Sequence, residues 1–239
     1  MKHETPASKG LDLFYKGCWL LLFLLPPVVS CWKIRSPRFP QAANKGLPSR
    51  VQAGMAAMTV PFVENAGQSD PQVAYYVRTF GGTVFVTRQG QMVYSLPAPP
   101  ASQMVLTETF LGGKVPLPHG EEPSPVGVSS FRGDDPATWR SRLATYGAVN
   151  LGEVYEKIQI SLRAQGHSVE KLFRVLPQGD PSLIELGVDG AEGLRVETNG
   201  ELAVETSLGE VRFTKPVAYQ EVAGARREVP VAYRVSDRS

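Results

Sequence analysis

The stretch VAYYVRTFGGTVFVTRQGQMVYSL, Val73–Leu96, decides the fold. Its three runs, Val73–Thr79, Thr83–Arg88 and Gln91–Leu96, are rich in β-branched and aromatic residues and alternate apolar with polar positions, the period of a half-buried strand. Gly81-Gly82 and Gln89-Gly90 separate the runs, and glycine supplies the positive φ of a tight hairpin. The stretch therefore predicts an antiparallel meander. Tyr75 and Tyr76 are neighbours on a strand, so they face opposite sides and cannot form one binding platform.

Working outward, the same punctuation continues. Met104–Leu111 reads as a further strand between two loose stretches, Pro97–Pro100 and Gly112–Pro125, the second expected as an exposed loop. Asp135-Pro136 offers an N-cap followed by proline at the first helical position, which predicts a short helical turn over Pro136–Arg142 that buries Trp139. Beyond it come TYGAVNL, a strand over Val154–Arg163, and another over Ser168–Leu176, these last two meeting at AQGH. An Asp180-Pro181 turn leads into LIELGV. Asn199-Gly200, between LRVET and ELAVET, is the strongest hairpin signal and predicts a type I′ turn. EVRFTK, PVAYQEV and REVPVAYRV complete about twelve short strands with one short helical turn. That pattern predicts an all-β, antiparallel, sandwich-like module rather than an α/β enzyme fold.

Composition agrees with a globular body. The chain has 239 residues, 42% of them hydrophobic and 20% charged, enough to bury a core. Glycine (23) and proline (20) exceed average usage without a collagen-like period, which fits many turns. The net charge of +2 is unevenly spread: residues 1–58 hold 8 Lys/Arg against 2 Asp/Glu, leaving the remainder at −4. A nucleic-acid binder concentrates positive charge in its folded part, so nucleic acid is excluded as a partner.

Both cysteines, Cys18 and Cys31, lie near the N-terminus. Lys2, Lys9 and Lys16 precede the apolar run Cys18–Leu25, the order of a secretory signal, and the run is too short and too proline-bounded for a permanent transmembrane helix. Val28-Val29-Ser30-Cys31 resembles a bacterial lipobox, which makes Cys31 the candidate lipidation site and a membrane the candidate partner. The alternatives are an ordinary signal cut before Met58, or a true start at Met55 or Met58. The expected organisation is a signal over 1–31, a basic, proline-containing tether over 32–58 and a β-rich domain over 59–239.

Three phrases carry a family resemblance. Phe62, Asn65, Gly67 and Gln68 open the first. Gly133, Asp135, Pro136, Trp139, Tyr146, Gly147, Val154, Tyr155 and Ile158 carry the second. Pro177, Asp180-Pro181, Ile184, Gly190, Gly200, Lys215-Pro216 and Tyr219-Gln220 carry the third. In this order they resemble an N-terminal domain of unknown function found ahead of seven-bladed β-propeller (SBBP) repeats in secreted bacterial proteins. The resemblance covers Pro61 to Val235. It implies an architecture and a compartment but no reaction, and it implies propeller blades after Ser239, so the chain reads as a fragment or a stand-alone copy.

The search for chemistry yields little. His119 and His167 are isolated, and no His/Cys/Asp/Glu set has metal-ligand spacing. No G-x-S-x-G elbow, P-loop or G-x-G-x-x-G is present, so no catalytic residue, metal or cofactor is assigned. Of the paired carboxylates, Glu121-Glu122 sits in a proline-rich loop, and Asp134-Asp135 near Trp139 has a superficial likeness to a sugar site. Asn65, Gln68, Asp134 and Trp139 are the binding candidates. The reading is an exported, non-catalytic β module with a structural or adhesion role at the cell surface, with a protein or polysaccharide partner. The alternative is a carbohydrate-binding or carbohydrate-acting β-sandwich.

Overall fold

The computed structural model describes residues 9–15, 29–35, 50, 54, 58–98, 102–131, 133–136, 139–222 and 224–236. The meander forms as its sequence requires. Strand β3 (Phe62–Glu64) pairs with β4 (Val73–Thr79), followed by β5 (Gly82–Thr87), β6 (Met92–Ala98) and β7 (Ser102–Phe110). Gly90, at φ 77° between β5 and β6, also meets Pro116: a Cβ there would lie 2.4 Å from the proline Cγ. Conformation and packing both demand glycine at this turn.

Further along lie β8 (His119–Pro123), β9 (Val128–Ser130), β10 (Arg140–Leu143), β11 (Thr145–Tyr155), β12 (Ile158–Gln165) and β13 (Ser168–Val175). After a 3-10 turn at Pro181–Leu183, capped by the Asp180 carboxylate on the Ser182 N–H, come β14 (Glu185–Asp189), β15 (Gly193–Val196), β16 (Leu202–Thr206) and β17 (Gly209–Phe213). The last are β18 (Val217–Val222), β19 (Ala225–Val229) and β20 (Val231–Ser236). Two strands precede all of these, β1 (Lys9–Tyr15) and β2 (Val29–Arg35). The apolar run Cys18–Leu25 between them lies outside the described residues.

The fold is all-β and antiparallel. One large sheet runs β19-β18-β2-β13-β12-β11-β3-β4-β5-β6-β7-β14-β1-β20, with β8 added on β11, and it curls into a half-barrel. A three-stranded sheet, β15-β16-β17, packs into its concave side, and β9-β10 form a separate ribbon. The curvature follows from the right-handed twist of many antiparallel strands.

The core lies between the large and the three-stranded sheets, and strand alternation builds it. Ile158, Ile160, Leu162 and Ala164 on β12 are buried while the residues between them are not. Met92, Tyr94 and Leu96 on β6 and Leu202, Val204, Val211 and Phe213 of the small sheet meet them from other directions. The Tyr94 and Phe213 rings touch edge to face at 6.3 Å. Each large side chain so buried contributes roughly 1.5–3 kcal/mol. A second, smaller cluster of Val63, Val73, Tyr76 and Leu143, with Val128 against it, seats the β9-β10 ribbon on the other face of β3 and β4. As expected from their adjacency, Tyr75 belongs to the first cluster and Tyr76 to the second.

Several expectations need correction. Among the described residues between Phe62 and Ser236 there are eighteen strands, not about twelve. The run Val154–Arg163 is two strands, because a turn at Glu156-Lys157, with Lys157 at φ 59°, folds β12 back on β11. The expected loop Gly112–Pro125 contains β8, whose backbone completes pairing along β11 and whose Gly120 N–H donates to the Tyr75 hydroxyl at 2.9 Å. The helical turn expected over Pro136–Arg142 does not extend: the Trp139 N–H reaches Pro136 O at 3.1 Å, and from Arg140 the chain is a strand paired with β9. At Asn199-Gly200 only Gly200 has positive φ, and Glu197 pairs with Glu201 across a three-residue loop, so the turn is not type I′.

Candidate functional site

Two places gather chemistry-bearing side chains. The first is inside the core. On β13, position 171 falls in the inward phase with Val169, Phe173 and Val175, and it holds a lysine of 0% exposure. On β7, position 108 falls in phase with Met104, Leu106 and Phe110, and it holds a glutamate of 1% exposure. Lys171 Nζ donates to Glu108 Oε1 and Oε2, both at 2.6 Å. The Tyr94 hydroxyl donates to Glu108 Oε2 at 2.5 Å, and the Phe213 ring centroid lies 5.0 Å from Nζ.

Burial pulls the Lys171 ammonium below the usual lysine range, and the charge and hydrogen bonds of Glu108 oppose that pull. Tyr233 nearby is pushed well up by burial, with Glu108 and then Glu201 adding to the shift. The arrangement is a charge pair with an aromatic partner for the cation and a phenol for the anion. Sequence reasoning missed it. The signal was available: each charge stands on the apolar phase of a strand, where a solvated residue is not expected.

The second place is on the surface and contains the sequence-predicted candidates. Asn65 is buried at the end of β3 and ties the following turn together. Its Nδ2 donates to Asp70 O at 2.8 Å and Val73 O at 2.9 Å, and its Oδ1 accepts from the N–H groups of Gly67 and Ser69, each at 3.1 Å. That occupies the bonding capacity of the amide. Gln68 Oε1 accepts from the Ala66 N–H at 2.8 Å and its Nε2 donates to Glu64 O at 2.7 Å.

Arg140 joins this turn to the other two candidates. Its Nε donates to Ala66 O at 3.2 Å and its Nη1 to Trp139 O at 3.0 Å. Trp139, expected buried, is 42% exposed. With β10 starting at Arg140 in place of a helix, the indole projects beside the β9-β10 ribbon and lies edge to face on Phe131, 63% exposed, at 5.5 Å. Its Nε1 donates to Gly133 O at 3.2 Å, next to the exposed Asp134. Arg140 thus links the turn that holds Asn65 and Gln68 to Trp139, and Trp139 in turn reaches Gly133 beside Asp134. Cys31 is elsewhere, in β2, with Arg174 and Tyr219 as its register partners.

The remaining carboxylate pair is divided between partners. Glu122 pairs with Arg163, whose hydrogen bonds hold the carboxyl below its usual range, and Glu121 accepts from Asn150 Nδ2 at 2.7 Å. Among the described residues no group of three or more His, Cys, Asp or Glu side chains could hold a metal ion. Comparison with curated proteins and with solved structures found no match. Residues 62–239, from the first residue of β3 onward, match the family Domain of unknown function (DUF7948), and the chain belongs to that family.

Proposed function

We propose that this protein is an exported, non-catalytic β module with a structural or assembly role at the bacterial cell surface. One contrast carries the reading. The strongly interacting charges, Lys171 and Glu108, are sealed in the core and spent on each other, whereas the aromatic pair Phe131–Trp139 faces solvent on a small ribbon. A sealed ion pair stabilises or specifies packing, and an exposed aromatic pair offers contact to a partner. Export is supported by Lys2, Lys9 and Lys16 ahead of Cys18–Leu25, and envelope attachment by Val28–Cys31. Placement ahead of SBBP repeats belongs to the same proposal and is supported by the three phrases quoted above.

The test has two parts. Residues 1–58 fused to a reporter active only outside the cytoplasm should give signal, and the chain should partition into detergent, with Cys31→Ser releasing it or leaving the signal uncleaved while Cys18→Ser does neither. The purified chain should be blank in glycosidase, esterase, peptidase and phosphatase panels. Turnover lost in Asp134→Ala or Asp135→Ala would overturn the non-catalytic reading.

The exposure of Trp139 favours a second reading, a carbohydrate-binding β-sandwich, because an indole beside Asp134 suits the apolar face and hydroxyls of a sugar. Retention of the chain on a polysaccharide column, lost in Trp139→Ala while the variant stays folded, would establish that reading over the first.

A further inference from the structure

The large sheet is closed at two points by strands from the N-terminal segment. β1 lies between β14 and β20 and is antiparallel to both, so β14 and β20 run parallel to each other across it. β2 stands in the same relation to β13 and β18. Without the inserted strand, each gap spans two inter-strand spacings, about 9.5 Å, and presents unpaired backbone groups on both sides. Two parallel strands that far apart cannot bond directly, so each gap accepts one antiparallel strand.

The sequence of the occupant suits the gap. Leu11 is opposite Leu186 and Val235, Leu13 opposite Tyr233, and Tyr15 opposite Val231, while on the alternate phase Asp12 is opposite Arg234 on β20 and Glu185 on β14, and Phe14 is opposite Ala232. Leu186 and Tyr233 are core residues. In β2 the alternation Trp32-Lys33-Ile34-Arg35 places position 32 opposite the buried Phe173 and Ala218, and position 34 opposite the buried Lys171. Leu11-Asp12-Leu13 in β1 and Trp32–Arg35 in β2 thus have the period-2 alternation of a strand in a one-side-buried sheet.

Residues 9–15 lie in the segment that export would remove. We propose that the β14–β20 gap is a strand-acceptor site, held by residues 9–15 in the unprocessed chain and opened by leader removal to an extended partner segment with apolar residues at alternate positions. This rests on the export reading for its second half and deepens the assembly role: the module gains a docking edge only after reaching its compartment. Main-chain bonds to both walls would give affinity, and the alternate apolar positions would give register.

The experiment separates the two halves. In the full chain with Cys18→Ser and Cys31→Ser, Asp12→Cys with Arg234→Cys places two thiols at directly opposed register positions, within disulfide reach. Mild oxidation should give a crosslinked monomer, and Asp12→Cys with Gln159→Cys, on the distant β12, should give none. A crosslinked dimer would assign the gap to a second copy, and absence of any crosslink would leave it unoccupied; either overturns the first half. For the second half, a fluorescent peptide KGLDLFYK is titrated against unprocessed chain and against protein recovered after export. The peptide should bind the processed form at least tenfold more tightly, and a Leu11→Asp, Leu13→Asp peptide should not bind. Equal binding to both forms, or to neither, overturns it. An N-terminus still at Met1 after export would sink the export reading while the crosslink result still decides the occupancy of the gap.

Discussion

Lys171 Nζ lies 2.6 Å from both carboxylate oxygens of Glu108, with both side chains closed off from solvent by the three-stranded sheet. The pair joins β13 to β7 across the half-barrel, two strands 63 residues apart in sequence at the contact. Such a pair is costly to break and need not be stabilising relative to an apolar replacement. Lys171→Met alone or Glu108→Leu alone should each cost about 3–5 kcal/mol, because the remaining charge loses its partner in the core. The double variant should recover most of that loss. Denaturant midpoints of the four proteins check this; additive costs in the double variant would contradict it.

Tyr155 gives a prediction in pH. Its hydroxyl donates to Glu185 O at 2.6 Å, and burial pushes the phenol up to about 12, above the usual 10.0. Because the folded state holds that proton longer than the unfolded state, the contribution is fully present below pH 10 and is lost as pH rises from 10 to about 12. Its size is about 2–3 kcal/mol for a shift of this extent. Tyr233, also raised by burial, adds in the same direction. Stability measured by urea titration should fall steeply over this window, and less steeply in Tyr155→Phe.

Trp139 is half exposed, so its removal should be mild. Trp139→Ala should cost at most about 1.5 kcal/mol, well under the 3–5 of a core tryptophan. For a chain of this size that is a drop of roughly 3–6 °C in Tm. A larger fall would place the indole in the core and remove it as a contact residue.

Asn65 should behave in the opposite way to a ligand residue. Asn65→Ala leaves two carbonyls and two N–H groups of the turn without their partner, at a cost of about 2–4 kcal/mol. Asn65→Asp should be no better than alanine, since a carboxylate cannot donate to Asp70 O and Val73 O. Melting curves check both. An unfolding temperature equal to that of the wild type would free this residue for binding.

Much of the strand content was legible in Val73–Leu96 and its echoes, because glycine bounds the β-branched and aromatic runs and a strand with one buried face, such as β12, writes its period directly into the chain. The turns at Gly90 and Asp180-Pro181 were legible for a related reason: proline and glycine act on φ locally. Where a turn used an unlikely residue, as at Lys157 with φ 59°, the pattern ran on and two strands read as one. Trp139 was misplaced because a capping signal at Asp135-Pro136 competes with pairing to β9, and the pairing prevails. Ser130, the register partner of the next residue, Arg140, lies ten residues upstream, and only the folded chain compares the two.

By itself, then, the sequence determined the all-β class and the main hairpins, both properties of neighbours a few residues apart. Tertiary structure decided the rest. Lys171 and Glu108 met because curvature of the sheet carries β13 and β7 to opposite walls of one core, and no local rule relates positions 63 residues apart. The Asn65 turn and Trp139 are joined through Arg140 because a small cluster under the ribbon holds β10 against β3 and β4. The order in which distant strands join, including the places of β1 and β2, depends on backbone pairing across the whole chain, which is set by shape and register together.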